Sequence, residues 1–172
     1  MYGAKGMAEI VGVTTWIIAG IKWGDWRNWE TYYSTILYFI FCDVMYYYLT
    51  VSKPLWILHP TWPLRYELIS LIGEFIVFAS TVLIFLGKYP ANRFISISWT
   101  FVWVVIYTLN EWLLLKTGTF THHNSWTLVD SFFFNILLFL FLRLHQKKPL
   151  LILCLSIPIG FLLMYVYSVP FK

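Results

Sequence analysis

Apolar residues along this chain come in runs of about 20, the length a helix needs to cross the hydrocarbon core of a bilayer, separated by short polar links. The runs do not alternate between apolar and polar positions. FIVFASTVLIFL is typical of them, whereas a strand of a membrane barrel alternates over roughly ten residues. The pattern predicts an all-α fold: a polytopic transmembrane helical bundle of six spans, one domain covering residues 1–172. The spans are expected at Ala8–Trp23, Thr31–Thr50, Tyr66–Leu86, Phe94–Lys116, Trp126–Leu142 and Pro149–Val169. The first is short, includes Glu9 and follows Lys5, as a signal peptide would, and its removal would leave five spans. No clear small-x-small cleavage site follows, so it reads as a retained helix.

The links carry their own signals. Trp23, Trp26 and Trp29 recur every third residue among Asp25, Arg27 and Glu30, which reads as an aromatic belt at a membrane surface. SKPLWILHPTWPLR holds three prolines and is not a continuous helix. It reads as a segment lying across the interface, with His59 a solvated loop residue. GKYPANR closes the third span with Gly and Pro, RLHQKKP ends the fifth with a basic cluster, and Pro158 predicts a kink in the sixth.

Composition strengthens the membrane reading: 60% of residues are hydrophobic, 22% aromatic and only 12% charged, with mean hydropathy +0.71. The net charge of +4 is too small and too scattered for a nucleic-acid surface, and in a membrane protein it reports topology instead. Lys22, Arg27, Lys88, Arg93, Arg143, Lys147 and Lys148 fall on one side, and Lys5, Lys53, Arg65, Lys116 and Lys172 on the other. That bias assigns the RLHQKK side to the cytoplasm and both termini to the outside. Cys42 and Cys154 fall in opposite leaflets on this layout, which speaks against a disulfide.

The acids change the picture most. Asp25 and Glu30 lie in the first link, while Glu9, Asp43, Glu67, Glu74, Glu111 and Asp130 all fall in the outer half of a span or near the bilayer centre. His59, His122 and His123 lie on the same side. A charged carboxylate at mid-membrane costs about 2.5–3.5 kcal/mol on insertion scales, so these groups are expected to face a bundle interior or water. The hairpin TLNEWLLLKTGTFTHHNSWTLVDSFFFN, Thr108–Asn135, organises the rest. Glu111, His123 and Asp43 are the candidates for acid–base work; Glu74, Glu67, Tyr107, Asn124, Trp126 and Asp130 are the candidates for ligand binding. Glu67 and Glu74 are nearly two helical turns apart and share a face, and Tyr107 sits one turn before Glu111. A folded-back link would bring His123 to Glu111.

Such an acid–histidine site fits the binding or movement of a cation, a proton or a small cationic or lipophilic ligand. It also fits a membrane-embedded acid–base enzyme of cyclase or isomerase type acting on a lipid or isoprenoid, with a desolvated acid as proton donor and aromatic faces steadying positive charge. Two blander readings are polar packing, with the acids paired to Arg65, Lys116, Tyr and Asn, and a partner role in signalling or immunity. A metal site is not expected: adjacent His122 and His123 in an extended link point in different directions, and neither H-E-x-x-H nor C-x-x-C occurs. No G-x-S-x-G elbow or phosphate-binding glycine loop is present, and the cofactor stays open. The hairpins Asp43–Glu67 and Glu111–Asp130 are similar enough to suggest a weak internal repeat.

WGDWRNWETYYSTILYF, FIVFASTVLIFL with its KYP, YTLNEWLLLKTG, HHNSW and RLHQKKP together resemble a family of small integral membrane proteins of Bacillus and related spore-forming Firmicutes. The resemblance covers roughly Trp23 to Leu150. It implies a bacterial plasma membrane and six spans, and it implies no activity. The family's link pattern resembles Y-H-N-G-W, matched here by His123, Asn124 and Trp126, with Ser125 in place of the Gly and His122 in place of an aromatic. Glu111 and Asp43 match the pattern, whereas Asp130 stands where an aromatic is expected.

Overall fold

The computed structural model describes residues 2–59 and 67–170, with side chains from Ile10 to His59 and from Leu71 to Pro170. Six α-helices occur among them: α1 (Tyr2–Trp23), α2 (Trp29–Thr50), α3 (Glu67–Gly87), α4 (Arg93–Thr117), α5 (Leu128–Lys147) and α6 (Pro149–Val166). The chain is 79% helical, which settles the all-α class. By length and apolar composition α4, α5 and α6 can each cross a membrane, and Ile10–Trp23 and Leu71–Gly87 are shorter apolar helices. The surface agrees with association with lipid. Phe94, Leu150 and Tyr165 are among the many large apolar side chains left exposed, while Thr35, Thr81, Ser131, Asn135 and His145 are buried. A protein folded in water avoids apolar exterior on that extent.

Local sequence sets the helix ends. Asn92 caps α4 by accepting from the amides of Phe94 and Ile95, and Gly118 ends it in the left-handed conformation (φ 72°), which a residue without Cβ adopts freely. Thr127 and Asp130 form a reciprocal capping box at the start of α5, and Pro149 opens α6. Helix α6 runs through Pro158 as one helix. The first link folds on Asp25, whose carboxylate accepts from Asn28 Nδ2 (3.1 and 3.0 Å) and Tyr32 Oη (2.9 Å). The Asn28 amide, with the Tyr32 hydroxyl, holds its carboxyl below the usual range. Trp23, Trp26 and Trp29 are all about half exposed, as a belt at an interface would be.

The helices pack around a core that includes Leu83, Phe85, Trp103, Phe139 and Leu142. Helix α1 lies against α3, and its Gly20 is required there, because a Cβ would collide with the Ser80 side chain. The links from α2 to α3 and from α4 to α5 meet at one end of the bundle. Trp56–Leu58 (β1) pairs antiparallel with Phe120–His122 (β2), Trp56 opposite His122 and Leu58 opposite Phe120. SKPLWILHPTWPLR is not a continuous helix. Residues 56–58 form one half of a two-stranded ribbon, and residues 60–66 lie outside the described ones.

Candidate functional site

A cavity of about 280 Å³ lies beneath this ribbon, lined from α1 to α5 and by the ribbon itself. Trp56, Leu58 and Phe120 of the ribbon and Trp126 just before α5 border it; Trp16, Phe39, Phe78 and Tyr107 line its other walls. Those aromatics brace one another. Phe39 stacks on Phe78 at 4.2 Å between centroids, and Trp16 meets Tyr107 edge-on at 5.8 Å. Tyr107 Oη and Thr81 Oγ1, 2.6 Å apart, tie α4 to α3. Glu74 lies two turns from Thr81, and Glu111 one turn from Tyr107, each toward the ribbon end.

Among the described residues three carboxyl groups border this space: Asp43 from α2, Glu74 from α3 and Glu111 from α4. Among the described residues no Lys or Arg lines it. Asp43 and Glu74, on the packed helices α2 and α3, both border this space. Asp43 Oδ2 is buried with no donor directed at it among the described residues. Tyr47 Oη stands 3.5 Å from Glu74 Oε1.

Glu111 is held differently. Its Oε1 accepts from His122 Nε2 at 2.6 Å and from the Ser131 hydroxyl, whose oxygen in turn accepts from Trp126 Nε1 at 2.8 Å. The result is an unbroken chain from the ribbon (His122) through Glu111 on α4 to Ser131 on α5, with both side chains of the His122–Glu111 pair largely buried. One turn along, Asn135 Nδ2 donates to Thr108 Oγ1 at 3.2 Å, a second polar link between α5 and α4. A carboxylate flanked by an imidazole and a hydroxyl can pass a proton in either direction or hold a cation at its second oxygen.

The predicted residues sort into three groups. Asp43, Glu74, Glu111, Tyr107 and Trp126 come together around the cavity. His123, Asn124 and Asp130 do not. The pairing expected between Glu111 and His123 is made by His122, because strand alternation turns consecutive residues to opposite faces: His122 goes in to Glu111, while the exposed His123 bonds Thr121 Oγ1 at 2.9 Å. Asn124 donates to Pro54 O at 2.6 Å and fastens one link to the other. Asp130 accepts from Thr127 N (2.8 Å) and Oγ1 (2.6 Å), closing the helix cap. The cap belongs to the groove between α5 and α6, where Tyr167 is pushed up to about 12 by burial and by Asp130 beside it. The side chains of Glu67, Glu9 and Arg65 lie outside the described residues. Lys116, expected as a partner for the acids in the packing reading, sits 5.7 Å over the Trp112 ring.

Sequence reasoning missed Ser131, Asn110, Trp16 and Trp56. Ser131 had a signal, since Ser131 and Asn135 are one turn apart and mark a polar stripe on an otherwise apolar helix. Trp56 had none, since its place depends on pairing with a distant link. No group of three or more His, Cys, Asp or Glu side chains among the described residues can hold a metal ion. The chain matches no protein-family model, no curated protein and no solved structure.

Proposed function

We propose that this is a membrane protein whose cavity binds a small organic cation with an apolar body. One observation carries the reading: three carboxyl groups and a wall of aromatic rings border a space that, among the described residues, no Lys or Arg lines. Uncompensated carboxylates in a low-dielectric space attract positive charge, and Trp, Tyr and Phe faces add cation–π attraction of about 0.5–2 kcal/mol each. The six helices are taken as six spans of a bacterial plasma membrane, in keeping with the resemblance to the Bacillus-type membrane proteins. Moving the cation across the bilayer is an extension of the same site.

The test compares benzyltrimethylammonium with its neutral carbon isostere, neopentylbenzene, on purified protein in detergent, read by quenching of tryptophan fluorescence. The cation should bind saturably and the isostere at least about tenfold more weakly, a difference of about 1.4 kcal/mol. Glu111→Gln keeps a hydrogen-bonding group for Ser131 and His122 while removing the charge, so it should fold normally and lose about the same factor. Equal binding of the two probes, or none, overturns the reading.

The relay from His122 through Glu111 to Ser131 favours a second reading, a membrane-embedded acid–base enzyme acting on a lipid. Incubation with a lipid extract, followed by mass spectrometry, separates the two. Turnover lost in Glu111→Gln supports the enzyme; unchanged lipids alongside cation binding support the first reading.

A further inference from the structure

The outer face of the ribbon carries chemistry the cavity does not use. Trp56, Leu58, Phe120 and His122 face the cavity side, so alternation turns Ile57 and Thr121 the other way. His59 and His123 continue the pairing beyond the strands, through His59 N to Thr119 O and His123 N to Leu55 O, both 2.7 Å. Their imidazoles converge. His59 Nε2 and His123 Nε2 each lie 2.9 Å from the one Thr121 Oγ1, so the two nitrogens stand within twice that distance of each other. Both histidines are exposed.

We propose that His59 and His123, with Thr121 between them, bind a divalent transition-metal ion of the Zn(II) or Cu(II) class through their two Nε2 atoms. The Thr121 hydroxyl and water complete the coordination. The hydroxyl has one proton and donates to only one ring, so the other ring must donate to it; a metal ion takes the lone pairs of both neutral rings instead. Metal–nitrogen bonds of about 2.0–2.1 Å require each ring to close in by roughly 1 Å, within reach of rotation about χ1 and χ2 in exposed side chains. Once one imidazole is bound, the other is already adjacent, which raises its effective concentration. Two protein nitrogens make an open, exchangeable site, unlike the four-ligand closure of a structural zinc. Bound there, the ion ties β1 to β2 across the roof of the cavity. The site stands whether or not the cavity takes a cation.

The full chain, purified in detergent with no histidine tag, is titrated with Cu(II), the tightest binder in the divalent series, and followed by electron paramagnetic resonance. One Cu(II) per chain should bind with a Kd at or below roughly 10 µM and show two nitrogen ligands. His59→Gln and His123→Gln should each weaken it about tenfold or more and leave one nitrogen, whereas His122→Gln should leave the signal unchanged. On the unaltered protein, Zn(II) should slow amide hydrogen exchange in β1 and β2. Binding that survives in the His59→Gln/His123→Gln double variant, a signal with one nitrogen in the unaltered protein, or no saturable binding up to roughly 100 µM overturns the site.

Discussion

Ser125 stands at φ 67° beside Asn124 at φ 53°, two consecutive residues in the left-handed region where the link turns back toward α5. Asn tolerates that conformation through its short polar side chain, and Ser less well. Ser125→Gly should therefore raise the melting temperature, by a stabilisation of about 0.5–1 kcal/mol net of the freer unfolded chain. A Gly suits this position because a residue without Cβ adopts the left-handed conformation at little cost. Two residues further on, Thr127→Ala removes the cap of α5 and leaves the Asp130 carboxylate without its main partner. A loss of about 1 kcal/mol is expected, measurable as a lower midpoint in denaturant with cation binding unchanged. That cap was legible in the sequence, since Thr-x-x-Asp before an apolar run is a capping-box pattern. Asp130 was instead grouped with the other acids by depth alone. The choice between His122 and His123 was not legible: alternation says the two face opposite ways, but which one faces inward depends on the register with β1.

The helices could be read from the apolar runs because the runs are long and mostly bounded by caps or prolines; α1 begins at Tyr2, ahead of the expected Ala8, and α5 runs on to Lys147, past the expected Leu142. The ribbon could not. Its strands are three residues each and belong to links 62 residues apart at His59 and Thr121, and no local pattern announces a pairing so distant. The convergence of Asp43, Glu74 and Glu111 was legible from their common depth, whereas the walls around them depend on which faces of α1 and α5 turn inward. Helix α1 offers a way to test the cavity without touching a charge. Gly12 borders it, and a Cβ built there meets no atom within 4 Å. Gly12→Leu should fill part of the space, keep the helix and weaken benzyltrimethylammonium binding by about tenfold or more. Unaltered affinity in this variant would place the cation elsewhere.

Buried polar groups and an apolar exterior point to lipid surroundings for the molecule as a whole, and the ribbon marks one of its two ends. If the basic RLHQKK end is cytoplasmic, the ribbon faces outside. A cysteine at Ser125, on a background with Cys42 and Cys154 replaced, should then react with a membrane-impermeant thiol reagent in intact cells, and a cysteine at Gln146 should not; the reverse pattern inverts the molecule. The ribbon also has a consequence for biogenesis. Its first strand leaves the ribosome well before its second, with α3 and α4 between them, so β1 has no partner until both helices are in place and the link beyond has emerged. The roof of the cavity thus forms only after four of the helices beneath it, with α5 still to follow.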